Sequence, residues 1–288
     1  MSSADAELFP IRTVASLTGV NPITLRAWER RYGLVRPVRT PSGHRVYTRA
    51  NIDAIHRILA QLQKGVAISQ VRESGDATDG WSQTRARMAT AIAQFDEDAL
   101  EEAYNGLLAL YPLELVTDQV LVPLFRELGE RWKETPGAVA EEHFFAVYLR
   151  NKLGARFHHR TRRHDGAKLL SACLPGEHHE SGLLLFALAA HEHGFRPVLL
   201  GADMPLGELA LAARRSRSAA IVLSGAIAPR AGLMERELPA LVAAAGIPVC
   251  VGGPCSARHR DAIETAGAHA LGEDIGHGLK RIAQLLNP

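Results

Sequence analysis

The stretch KLLSACLPGEHHESG, residues 168–182, is where the chain changes character. Its first seven residues are an apolar run of strand length. Pro175 and Gly176 then turn the chain into two adjacent histidines set between two glutamates, ahead of a helix-like segment. Four more such runs follow, PVLLG (197–201), AAIVLS (219–224), PVCVG (248–252) and AHAL (268–271), each leading into a helix-like stretch. Short apolar strands alternating with helices predict a parallel sheet covered on both faces. Ligands of such sheets bind beyond the carboxyl ends of the strands, so GEHHESG stands at the binding rim.

Upstream the texture differs. Residues 84–157 carry apolar side chains at helical spacing, as in Leu113, Val116, Val120, Leu124 and Leu128, which predicts a helical bundle. Residues 74–82, SGDATDGWS, are small and polar and read as a linker. A hydrophobic content of 47% with 22% charged residues suits a chain with real cores, and a net charge of +2 requires any nucleic-acid affinity to come from a local patch. The three cysteines, Cys173, Cys250 and Cys255, have neither disulfide-framework nor zinc-ligand spacing. With no signal-like start and no apolar run of membrane length, the expectation is a soluble, cytoplasmic protein with no membrane partner.

The local basic patch is at the front, where Arg26, Arg30, Arg31, Arg36, Arg39, Arg45 and Arg49 crowd together. Val14, Leu17 and Val20 fit the buried side of a first short helix. Asn21 is placed to cap a second helix, with Pro22 at its first position. Arg26, Arg30 and Arg31 project from that second helix with Trp28 and Tyr32 nearby, and PSGHRVY supplies a turn and a strand as a wing. Arginines so placed reach phosphates or guanine edges. The order Trp28-Glu29-Arg30-Arg31-Tyr32, Gly33-Leu34, Pro37, Gly43-His44-Arg45-Val46-Tyr47 resembles the winged-helix DNA-binding domain of the MerR family over about residues 11–64. That resemblance implies double-stranded operator DNA as partner, with Arg26, Arg30, Arg31, Tyr32, Arg45 and Tyr47 as contacts.

Glu177-x-His179-x-x-Gly182 is followed, after 41 intervening residues, by Ser224, and later by the pair Gly252-Gly253. This resembles the D-x-H-x-x-G, serine and glycine-pair signature of the cobalamin-binding fold, with glutamate in place of the usual aspartate. The resemblance covers about residues 167–286. It implies that His179 binds cobalt from below, that Glu177 steers its ring, that Gly182 and Ser224 face the displaced nucleotide tail, and that Gly252 and Gly253 make room for its end. A neutral imidazole nitrogen suits such an ion, and a carboxylate on its other nitrogen fixes the tautomer. His178 is expected to be a bystander, and His191 and His193 to face solvent.

Between these ends Trp132 precedes Glu142-His143 by nine intervening residues. With the flanking domains this resembles the CarH/LitR group of transcriptional photoreceptors, in which W-x9-E-H lies on a four-helix bundle above adenosylcobalamin. The resemblance implies that Trp132, Val139, Glu142 and His143 meet the adenosyl group, and that a dark tetramer on DNA dissociates when light breaks the Co–C bond. The expected architecture is multidomain. Residues 1–75 form the MerR-type winged helix-turn-helix, 82–165 the four-helix bundle, and 166–288 an α/β Rossmann-like cobalamin-binding domain with a parallel five-stranded sheet. In light-sensing members a histidine follows the tryptophan, where this chain has Lys133. Two other readings stand beside the photoreceptor. One is a regulator that senses cobalamin without light or works without cofactor; the other is a cobalamin-carrying subunit of a methyltransferase or mutase, which the DNA-reading domain argues against.

Overall fold

Helix ends in the first seventy residues are set by local chemistry. The computed structural model describes residues 7–40, 43–64, 68, 71, 80–131, 135–159 and 165–287. Strand β1 (Leu8–Pro10) leads into α1 (Ile11–Thr18), which stops at Gly19 in a left-handed conformation with φ 71°. Asn21 caps α2 (Pro22–Ala27), its side chain accepting from the N–H groups of Ile23 and Thr24 at 2.9 Å each, with Pro22 at the first position. The helix widens into a π turn at Trp28–Tyr32 and ends at Gly33. Strands β2 (Val38–Arg39) and β3 (Arg45–Thr48) follow, and among the described residues β1, β3 and β2 form an antiparallel sheet in that order. A capping box between Thr48 and Asn51 opens α3 (Arg49–Gln63), which buries Ile52, Ile55, Ile58 and Leu62.

The bundle helices are α4 (Gly80–Ala93), α5 (Glu97–Leu110), the run α6 (Leu113–Val116) through α7 (Val122–Glu130), and α8 (Ala138–His158). A π turn at Thr117–Leu121 joins α6 to α7 just before Pro123, whose missing N–H and ring no α-helical interior accepts without distortion. The predicted stripe Leu113, Val116, Val120, Leu124 and Leu128 is buried throughout. Phe125 meets Phe145 with ring centroids 4.7 Å apart, and Trp81 meets Tyr111 at 4.4 Å. The chain divides into two compact units, residues 1–145 and 146–288, with the division inside α8. No helix among the described residues is long and apolar enough to cross a membrane.

In the second unit β4 (Lys168–Cys173), β5 (Arg196–Gly201), β6 (Ala220–Ser224), β7 (Val249–Gly252) and β8 (His269–Gly272) form, among the described residues, a parallel sheet ordered β5-β4-β6-β7-β8. The helices between them are α9 (Ser181–Glu192), α10 (Leu206–Ser216), α11 (Leu238–Ala245), α12 (Pro254–Arg258) and α13 (Arg260–Thr265), and α14 (Ile275–Leu286) closes the fold. Alternate strand residues feed two cores. Leu170, Ala172, Ile221, Leu223, Val249 and Val251 pack with α10 and α11, while Leu169, Val222 and Cys250 pack with Phe186, Leu279 and Ile282. The chain passes from β4 to β5 on one side and then to β6 on the other, so the loop after β4 lies at the topological switch point.

Candidate cofactor site and nucleic-acid interface

The loop after β4 presents its histidine through a buried carboxylate. Glu177 is 1% exposed, and its Oε1 lies 2.5 Å from Nδ1 of His179 while accepting the backbone N–H of His179 at 2.9 Å. Its Oε2 accepts the N–H groups of Ala226 and Ile227, at 2.6 and 3.0 Å, in the loop after β6. Burial alone would raise this carboxyl, but the bonds from the His179 ring, His179 N, Ala226 N and Ile227 N outweigh it and bring the pKa down to about 2. A carboxylate at Nδ1 favours a proton there, and in the neutral ring this leaves the lone pair on Nε2, the form of imidazole that ligates a metal.

The aspartate-to-glutamate departure now has a geometric meaning. The longer side chain spans from the histidine to the β6 loop and satisfies donors on both. Arg258 supports that loop from α12, its guanidinium donating to the carbonyls of Ala226 and Pro254. On the other flank, Asp203 after β5 accepts the N–H of Gly176 at 2.7 Å and donates its own N–H to Glu177 O at 2.9 Å. Neither Asp203 nor Arg258 stood out in the sequence, because the motif shows spacing along the chain and these partners arrive through strand order.

Gly182 and Ser224 line one space, since a Cβ at Gly182 would stand 3.4 Å from Ser224 Oγ. A larger residue at 182 would press directly on that serine. Gly253, with φ 89°, is glycine for the fold itself: a Cβ there would meet Gly225 O at 2.6 Å. Gly252 has no such conflict, its nearest neighbours lying 3.9 Å away. Cys173 is buried below the loop, its thiol pushed up to about 12 by burial with help from Glu177 and Glu180, so it is not a competing thiolate ligand. His178 is exposed. His191, expected on the surface, is buried at 9% exposure, because α9 has apolar neighbours nearly all round and buries most of its length. The carboxylate-steered imidazole at the switch-point loop fits a cobalt-centred cofactor.

On the bundle, Glu142 is buried, whereas Val139 and His143 are exposed on α8 one helical turn apart. Trp132 and Lys133 lie outside the described residues. Neighbouring Glu141, which the sequence did not single out, is buried and paired with Arg131 at 2.9 Å.

In the winged helix Arg26, Arg30 and Arg31 are exposed and Tyr32 half-buried. Arg45 is held by Glu29, with Nε 2.6 Å from Oε2, and Arg39 approaches the same carboxylate at 3.8 Å. Tyr47, expected to touch DNA, is fully buried; its side of β3 packs against α1 and α3, and burial pushes its hydroxyl pKa up. Leu17, expected inside, is 48% exposed, and Trp28 fills the core instead, its Nε1–H donating to Leu110 O at the end of α5 at 2.8 Å.

A DNA-reading winged helix on the same chain as a helical bundle and a parallel sheet with a steered histidine defines the class: a B12-binding transcriptional regulator. Residues 9–77 match the MerR HTH family regulatory protein family, and residues 84–156 match the B12 binding domain. The chain is 33% identical to the HTH-type transcriptional repressor CarA of Myxococcus xanthus, over 90% of this chain and 91% of that protein. It is 32% identical to the HTH-type transcriptional repressor CarH of the same organism, over 91% and 94%. The monomethylamine corrinoid protein of Methanosarcina barkeri shares the fold, with a TM-score of 0.55 at 17% identity over 70% of this chain and 98% of that one. The chain belongs to the CarA and CarH family of MerR-type proteins with a B12-binding domain, whose named relatives are transcriptional repressors and not enzymes.

Proposed function

We propose that this regulator is an adenosylcobalamin-dependent, light-responsive repressor that binds operator DNA as a tetramer in the dark and releases it in smaller assemblies after illumination. The observation that carries the cofactor half is the 2.5 Å contact between Glu177 and Nδ1 of His179, which turns Nε2 toward metal ligation. When bound, adenosylcobalamin supplies a light-labile Co–C bond. His179 would hold the cobalt, with Glu177 steering its ring, and Gly182, Ser224, Gly252 and Gly253 would serve the nucleotide tail. Trp132, Val139, Glu142 and His143 serve the adenosyl side. Residues 1–75, 82–165 and 166–288 divide this work as reader, bundle and cofactor domain.

The light half rests on the resemblance in Trp132 and Glu142-His143. Lys133 departs from it, and an amine that stayed protonated would be a poor cobalt ligand, so the illuminated protein would differ in its final adduct, with His143 or water as the alternatives. Several reading heads on one operator make release steep once the assembly falls apart.

The test is an absorption spectrum, a size-exclusion profile and an operator gel shift of the adenosylcobalamin-loaded chain before and after green light. The expected result is a tetramer and a shifted band that are both lost on illumination. A band that survives light points to a dark cobalamin sensor, and DNA binding indifferent to cofactor points to a cofactor-independent repressor. Turnover of a methyl donor points to a carrier subunit.

A further inference from the structure

β4 lies between β5 and β6, so the loop that carries His179 has a neighbour on each side. On the β6 side Glu177 reaches out to Ala226 and Ile227. On the β5 side the reach is reversed, and Asp203 comes to the loop. Its Oδ1 accepts from Gly176 N at 2.7 Å and its N–H donates to Glu177 O at 2.9 Å. These bonds grip two consecutive residues where the loop begins. Gly176 has φ 82° and no side chain, so it contributes little constraint of its own. Asp203 itself sits at φ 46°, a left-handed backbone that aspartate and asparagine tolerate better than other side-chain-bearing residues. That turn lets its side chain and its N–H face the same strand end.

The geometry points to Asp203 as a positioning residue for His179, acting through Glu177. The backbone that Asp203 fixes is the backbone from which the Glu177 carboxylate departs, and that carboxylate orients the imidazole at 2.5 Å. Releasing Gly176 and Glu177 lets the carboxylate drift between its two sets of donors, and the ring loses a defined bearing. The assignment rests on His179 being the cobalt ligand.

The test compares the full-length wild-type chain with Asp203→Asn and Asp203→Gly. Asparagine keeps an oxygen acceptor and tolerance of the left-handed backbone, while glycine keeps the backbone and removes the acceptor. Each is loaded with cobalamin, reduced to cobalt(II), and read by electron paramagnetic resonance with and without 15N-histidine labelling, alongside a cobalamin titration. Asp203→Asn is expected to bind within about twofold of wild type, and Asp203→Gly about tenfold more weakly with a smaller histidine-ligated fraction. Wild-type affinity and ligation in Asp203→Gly would overturn the assignment. If that variant does not fold by circular dichroism, hydrogen exchange of the Gly176 amide in the cofactor-free wild type decides: protection supports the clamp and rapid exchange overturns it. A wild-type spectrum indifferent to the histidine label removes the cobalt-ligand reading itself, a failure distinct from that of Asp203.

Discussion

The loop around His179 and the arginine-bearing helix α2 with its π turn treat their charged groups in opposite ways. Glu177 accepts four hydrogen bonds from within the chain and anchors the histidine ring through Nδ1, leaving Nε2 on the other side. Arg26, Arg30 and Arg31 project exposed, and on the wing Arg45 is held closely by Glu29. A buried, bonded site meets its ligand with little ordering left to do, whereas long exposed side chains lose rotamer freedom when they bind. The first arrangement suits one cofactor of fixed shape. The second suits a polyanion met through screened, salt-dependent contacts.

The contrast breaks most visibly at position 177. Glu177→Ala strands the Ala226 and Ile227 N–H groups and is expected to cost the second unit about 3 kcal/mol, read by denaturant unfolding. In the intact protein the carboxyl sits at about 2 against an ordinary 4.5, so its contribution is present above about pH 4.5 and is lost as pH falls toward 2. Arg30→Ala and Arg31→Ala should leave folding unchanged and weaken operator binding by about 1–3 kcal/mol each, with a shallower salt dependence for whichever contacts phosphate. Trp28→Phe removes the indole bond to Leu110 and leaves a void where the larger ring filled the core, and should lower stability by about 2 kcal/mol in denaturant unfolding. Glu29→Gln releases Arg45 and should shift stability by less than about 1 kcal/mol while altering operator affinity, a difference that gel shifts and thermal melts separate.

Much of this was legible in the sequence for physical reasons. The five strands announce themselves because parallel strands are apolar on both faces, and Asn21-Pro22 announces α2 because each residue has one good place at a helix start. Glu177 and His179 were legible because a carboxylate and its histidine are neighbours along the chain. Strand β1 escaped notice: Leu8, Phe9 and Pro10 are few, mostly exposed, and end in a residue poor at pairing. Tyr47 was misplaced because strand alternation says which residues share a face and leaves open which face is covered. His191 was misplaced because a helix buried nearly all round leaves no polar side for its one imidazole. Asp203 lies 24 positions from His179, and only the order β5-β4-β6 brings its loop alongside.

The bridge from Glu177 to Ala226 and Ile227 also limits how this sequence can drift. Aspartate at 177 is one methylene, roughly 1.5 Å, too short to keep both sets of partners. An aspartate there would need Ala226 and Ile227 to stand closer to β4, so one methylene couples two loops that are distant in sequence.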